Sequence, residues 1–405
     1  MSKATGAPPP SQRLVSIDAL RGFDMFWILG GDSLAYALHR MSGDPVTKFV
    51  ADELDHAEWV GFHFYDLIFP LFVFIMGVST VFSLTRIIGA RGRGAAVRRV
   101  LVRGTLIFAL GLIYSGGLTN PWPDMRLMGV LNRIALCYAF GGLAFCFVRP
   151  KALVALAASL LLGYWALMAL VPFRDVRPVP GVGVITKDAG FTSVSQLRMD
   201  SQVWIKGSYV QGVNLTNYLD QKYLPGRKYD GTYDPEGILS TLPAFATGLL
   251  GIMAGLFLRR PSVPDAAKAG LLLCAGALAV GLGFLWGIEF PVIKKIWTSS
   301  YVLVAGGYSA MLLGLFYWVV EVKKKTAWCQ PFVWIGMNPI TLYLLSAFLN
   351  GFEGLASRLV GGSVRDGLDA HVASGLGDLV VSSVAVLIFV ALARFLYKRG
   401  IFLRA

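Results

Sequence analysis

The chain has 405 residues, a formal net charge of +13, 55% apolar residues and only 15% charged ones. With a mean hydropathy of +0.61, it carries more apolar surface than a soluble domain of this length can hide, because a soluble surface must be largely polar. The excess of positive charge lies in loops between apolar runs, which excludes a nucleic-acid surface, and the four cysteines carry no CxxC spacing, which excludes a disulfide framework or zinc site.

Residues 1–12 (MSKATGAPPPSQ) are polar and Pro-rich without an apolar core and read as a disordered cytoplasmic tail, not a signal peptide. Ten apolar segments follow, at 17–38, 64–85, 102–117, 128–148, 152–172, 238–258, 268–289, 297–320, 329–350 and 376–396. Crossing a hydrocarbon core of about 30 Å takes about 20 such residues. The expected fold is therefore an all-α polytopic membrane protein of about ten spans. Residues 13–405 form one domain, and 173–237 is a long outer insertion folded as a lid or substrate platform. With the N-terminus inside, the inner segments hold 21 positive residues and the short outer loops seven: Arg40, Lys48, Arg126, Lys294, Lys295, Arg358 and Arg365. The positive-inside rule then puts both termini in the cytoplasm.

In the first span Asp18, Arg21 and Asp24 recur at i, i+3, i+6 on one face, as an ion-pair ladder or an inner polar pocket. Asp32 lies 11 residues past Arg21, about 16 Å along a helix, so it reaches the outer half of the membrane. A carboxylate at that depth is costly and faces a cavity or a partner; Gly30 and Gly31 before it permit local unwinding. His56, in the outer loop ahead of span two, is placed to meet Asp32, and a carboxylate that orients a histidine suits general-base or nucleophilic work. Asp66 opens span two and reads equally as a helix cap.

The inner loop RIIGARGRGAAVRRVLVRG is rich in arginine. Guanidinium forks suit phosphate, so Arg98, Arg99 and Arg103 are read either as topology and lipid contacts or as a dock for a phosphate-rich cytosolic cofactor. No Walker or GxGxxG pattern accompanies them. Arg126 precedes span four, and Asn132 and Arg133 lie within it; Arg133 needs a carboxylate or an anionic ligand. Asp234 and Glu236 open span six, as a helix start or as site acids. Asn338-Pro339 interrupts span nine, and such kinks tend to line cavities.

Five blocks in this order, RLVSIDALRGFDMFWI, HAEWVGFHFYDLIFPLFVFIMGVS, RLMGVLNRIALCY, YDPEGILSTLPAFATGLLG and GMNPITLYLL, resemble the heparan-α-glucosaminide N-acetyltransferase family of membrane acyltransferases, in its compact bacterial branch. The resemblance implies acetyl transfer from cytosolic acetyl-CoA, with no metal, to the amine of glucosamine or a terminal glucosaminide across a bacterial cytoplasmic (inner) membrane. It places the essential histidine at His56, with Trp59 and Gly61 in register. It also implicates position 32, where the animal enzyme has Asn; Asp32 accepts from an imidazole but offers no amide N–H to an oxyanion. His56 is expected as general base or acetyl-carrying nucleophile, both needing a neutral ring, so activity should fall at acidic pH. Trp59, Asp66, Arg126, Asn132, Arg133, Asp234, Glu236 and Asn338 are the substrate-binding candidates; Arg13, Arg21, Arg98, Arg99 and Arg103 are those for acetyl-CoA. The partners expected are the lipid bilayer, an amino-sugar acceptor and, as an option, a second copy of the chain. Two other readings stay open: an amino-sugar transporter or accessory using Asp32, Asp66, Asp234 and Glu236 for a cationic amine, and an O-acyltransferase acting on a surface glycan.

Overall fold

The computed structural model describes residues 14–175 and 202–402. Arg13, the tail at 1–12 and the middle of the long insertion lie outside them. The described chain is helical apart from two short antiparallel ribbons within the insertion, at 173–174 with 204–205 and 209–210 with 213–214.

The first apolar segment forms α1 (Val15–Phe26), a π-helical turn (Trp27–Gly31) and α2 (Asp32–Ser42). Gly30, at φ 117°, supplies the break, a conformation that a residue with a Cβ rarely adopts. A short helix α3 (Pro45–Glu53) follows, capped by the Asp44 side chain on Val46 N.

The second and third expected spans fall on one assignment, α4 (Phe64–Tyr114), 51 residues long. At ~1.5 Å per residue that is about 76 Å, more than two hydrocarbon thicknesses. Gly92, at φ 80°, breaks it within the arginine-rich stretch, where charge belongs outside the apolar layer. The bundle continues with α5 (Val130–Phe147), α6 (Pro150–Leu170), α7 (Leu215–Tyr223, within the insertion), α8 (Thr241–Leu258), α9 (Asp265–Trp286) and α10 (Ser299–Tyr317). Then come α11 (Gln330–Gly336) and α12 (Pro339–Phe348), α13 (Gly351–Val360), α14 (Ser363–His371) and α15 (Leu376–Lys398). The pair α11 and α12 is bent by 75° at Asn338-Pro339, where proline removes a helical N–H donor.

Seven of these helices are long and apolar enough to cross a membrane, or eight with the bent pair as one span. Every expected segment is helical; α4 carries two of them, and the first is divided at Trp27–Gly31 into helices of 12 and 11 residues, neither of which is long enough alone to cross. Helices α1, α4, α5, α8 and α10 share the central core, built around Leu20, Phe74, Ile134, Ala244 and Tyr301. By contrast α6, α9 and α15 bury only 28%, 22% and 28% of their apolar stretch within the chain, leaving the rest for lipid. The described part of the insertion packs Phe173, Val213 and Leu215 against Tyr164 and Met168 of α6 and Phe290 and Ile293 of the loop after α9. That lays it over the face that carries residues 54–63.

Candidate active site

The segment between α3 and α4 is held by carboxylates. Glu53 Oε2 accepts from Phe64 N at 2.9 Å. Asp66 Oδ2 accepts from His63 N at 3.0 Å and Ala57 N at 3.2 Å, so Asp66 is the N-terminal box of α4. The same side chain, 1% exposed, turns Oδ1 to His56 Nδ1 at 2.9 Å. That contact is short but not aligned with the ring N–H, and Oδ1 has no well-directed hydrogen bond; catalytic contacts are often loose in a ligand-free site. Tyr301 Oη donates to the Asp66 carbonyl at 2.7 Å and fixes the helix start from α10.

The carboxylate beside His56 is thus Asp66, not Asp32. Asp32 is reached through Tyr65, whose hydroxyl hydrogen-bonds it and whose ring packs on the His56 ring at 4.9 Å. The break at Gly30 starts α2 afresh at Asp32, whereas Asp66 is tied to the histidine loop by two backbone bonds. The His56 side chain remains 46% exposed, open to whatever enters beside it. Lys294 Nζ stands 2.9 Å from both its ring nitrogens and 3.5 Å from Asp66 Oδ1.

A second cluster gathers at the start of α8. Arg126 grips Asp234 with two bonds of 2.8 and 2.7 Å and Glu236 with a third of 2.7 Å, and lies over the Tyr229 ring at 4.9 Å. Burial opposes the charge on Arg126, but these two carboxylates hold its pKa above the usual value. Glu236 is pushed up to about 7 by burial, with Asp234 adding to the shift and Arg133 and Arg126 opposing it.

Arg133, expected to meet a carboxylate or an anionic ligand, is fully buried and makes no hydrogen bond to a carboxylate among the described residues. Its Nη2 donates to Ser240 Oγ and to the Gly237 carbonyl, its guanidinium lies 5.0 Å over Trp297, and Nε and Nη1 have no acceptor among the described residues. Of the three carboxylates that act on it, Asp234 and Glu236 are engaged by Arg126 and Asp220 accepts from Ile238 N at 2.8 Å. Asn132 donates to the Phe108 carbonyl at 3.0 Å and leaves Oδ1 without a partner among the described residues.

A cavity of about 380 Å³ joins the two clusters, lined by His56, Lys294, Lys295, Arg126, Glu236 and Asn132, within the ~300–1,000 Å³ range of small-molecule sites. Met25, Phe69 and Phe72 form apolar walls, and Tyr114 and Tyr343, stacked at 4.6 Å, close one side. Of the candidates read from sequence, His56, Arg126, Asn132 and Glu236 line the cavity, with Asp66 and Asp234 behind them. Trp59 does not; its indole N–H donates to the Tyr209 carbonyl at 2.8 Å and ties the insertion to the histidine loop. Asn338 donates to the Ile401 carbonyl at 3.0 Å, while its neighbour Pro339 lines the wall.

The arginines read for acetyl-CoA lie elsewhere. Arg21 is engaged by Asp18 at 2.7 Å and the Gly336 carbonyl at 2.6 Å; Asp24, expected on the same face, is buried with both oxygens unpartnered among the described residues. Arg98 and Arg99 are exposed, and Arg103 lies 5.1 Å over Tyr138. None of them lines the cavity, whose nearest α4 residue to them is Gly111, about 12 Å along the helix from Arg103. The sequence assigns no site role to Tyr65, Lys294 or Lys295. The one signal for the lysines is their place, as an adjacent pair in a short loop on the side poor in positive charge.

A family profile described as heparan-alpha-glucosaminide N-acetyltransferase, catalytic, matches residues 13–191, which take in α1 to α6 and the His56 segment. Over this region the chain is similar to the heparan-α-glucosaminide N-acetyltransferases. The mouse protein of that name is 27% identical over 398 aligned residues, covering 86% of this chain and 56% of its own length. The human one is 26% identical over 438, covering 98% and 60%. The chain therefore spans little more than half the length of these acetyltransferase relatives, while the matched region holds His56, Asp66, Arg126 and Asn132.

Proposed function

We propose that the protein transfers acetyl from acetyl-CoA to the amine of glucosamine or a terminal glucosaminide. The observation that carries this reading is His56 at the wall of a cavity within the helical bundle, with the buried Asp66 carboxylate 2.9 Å behind its ring. Such a histidine takes a proton from an attacking amine, or accepts the acetyl group itself. The kinship with the N-acetyltransferases named above supports the same chemistry. Glu236, at the cavity wall, offers a counter-charge to an ammonium, and the Tyr229 ring offers an apolar face to a sugar.

Both termini lie on the cytoplasmic side of the cytoplasmic membrane in this reading, and the His56 face lies outside. Acetyl-CoA binds from within, its phosphates meeting Arg98, Arg99 and Arg103. The long neutral pantetheine arm then runs along the second half of α4 toward Gly111 and Asn132, whose free Oδ1 accepts from an arm amide N–H.

The test uses the purified protein in detergent with acetyl-CoA and glucosamine. Thiol release should depend on the amine, and His56→Ala should lower kcat by about a hundredfold or more while acetyl-CoA still binds. Wild-type protein that releases no thiol, or a His56→Ala variant that turns over normally, would overturn the reading.

A further inference from the structure

We infer that Lys294 is a catalytic residue of this site, its ammonium holding the oxyanion that forms when the acceptor amine attacks the acetyl thioester. The inference rests on the acetyl-transfer reading. Lys294 comes from the loop between α9 and α10, 238 positions from His56, and that loop is rigidly placed. Gly61 N donates to the Val292 carbonyl at 2.9 Å, which joins the lysine loop to the histidine loop. Thr298 Oγ1 donates to the Pro291 carbonyl at 2.8 Å and accepts from Ile293 N at 3.1 Å. Ile293 and Ile296, both 0% exposed, anchor the backbone on either side.

The next residue, Lys295, turns away to Asp230 at 3.0 Å. Only Lys294 faces the imidazole, with its side chain 19% exposed. A donor equidistant from both ring nitrogens lies along neither lone pair, since the two diverge widely. Its role toward the ring is therefore electrostatic, and with one N–H turned to Asp66 the ammonium keeps donors for a third party in the cavity. A cation there cannot serve to stabilise an imidazolium. Burial pushes the pKa of Lys294 down, while Asp66 and Glu236 support its charge.

The atoms balance as follows. The acceptor, as its neutral amine, forms the C–N bond while the carbonyl pair moves onto oxygen beside Lys294 Nζ. His56 takes one proton from the nitrogen. The oxyanion pair returns, the C–S bond breaks, and the sulfur leaves as a thiol with the proton from His56, which restores the neutral ring. Preorganised donors aimed at such an oxygen are worth about a hundredfold to a thousandfold in kcat.

Lys294→Met and Lys294→Arg are compared with wild type for kcat, acceptor KM, thermal midpoint and the pH profile of thiol release. Facing His56 are Asp66 and Tyr65 from α4, Asp55 from its own loop, through the 2.7 Å bond its side chain accepts from His56 N, and Lys294; Lys295 and Glu236 act on Lys294 in turn. Removing the positive charge eases protonation of the ring. K294M should therefore lose about a hundredfold or more in kcat, with little change in KM, and its acid limb should move to higher pH. K294R should keep most of the turnover and an unmoved acid limb. A K294M enzyme within a few fold of wild-type kcat, or one whose acid limb stays put, overturns the inference while leaving acetyl transfer intact. Should K294M fail to fold, K294R decides alone: a loss as deep as that of His56→Ala also overturns it. Wild-type protein without amine-dependent thiol release removes the underlying reading instead.

Discussion

With one oxygen Asp66 caps α4 on His63 and Ala57; with the other it meets His56 at 2.9 Å. The two tasks are separable by substitution. Asp66→Asn keeps a carbonyl oxygen for the two backbone donors but removes the charge behind the ring. Its thermal midpoint should stay near that of wild type while kcat for thiol release falls by at least about tenfold. Asp66→Ala should lose the cap as well, costing about 1 kcal/mol in stability. Equal thermal loss in both variants would show that the charge, not the cap, holds the segment. The side chains in sequence around His56 do not reveal this: Asp32 looked the more costly carboxylate, yet Asp66 has the backbone bonds that bring it under the ring.

At the scale of elements, the start of α8 depends on a partner 108 positions earlier in the chain. Arg126 neutralises Asp234, 0% exposed, and Glu236. Removing one side of a buried pair strands the other charge at a cost of about 3–5 kcal/mol. Arg126→Met should therefore lower the thermal midpoint in detergent markedly, and adding Asp234→Asn should recover part of the loss. A single variant as stable as wild type would mean that water reaches these carboxylates. Arg126 lies in the loop ahead of α5, as its sequence context indicates, and Asp234 and Glu236, expected to open the sixth span, lie in the turn just ahead of α8, because Pro, Gly and charge mark such boundaries locally. The need of Arg133 for a carboxylate or an anionic ligand is legible because depth in an apolar run is visible in sequence. The direction in which a buried arginine points is not, and here it meets Ser240, the Gly237 carbonyl and the Trp297 face.

Across the whole molecule, the break at Gly92 and the cavity near His56 lie at different levels of the bundle, and the proposed transfer requires them to face opposite sides of the membrane. In sealed right-side-out vesicles of a Cys274→Ser background, a cysteine at the exposed Asp52 should react with a membrane-impermeant thiol reagent. One at the exposed Gly94 should react only after lysis. Labelling of both from one side would contradict the topology drawn from the charge bias. The described part of the insertion covers the His56 face through Trp59 and the Tyr209 carbonyl, so access to the cavity is set jointly by two loops far apart in the chain.

What the amino-acid order alone determined was the class of molecule, the positions of its apolar helices, the bend at Asn338-Pro339 and the five blocks that carry its resemblance to the acetyltransferases. Hydropathy, proline and charge bias are properties of short stretches and need no knowledge of neighbours. Tertiary structure decided which carboxylate stands behind His56, which arginine takes the two acids of α8, and that a lysine from a distant loop completes the cavity wall. Those pairings depend on the rotation and depth at which helices pack, and close-packed side chains far apart in sequence settle them together.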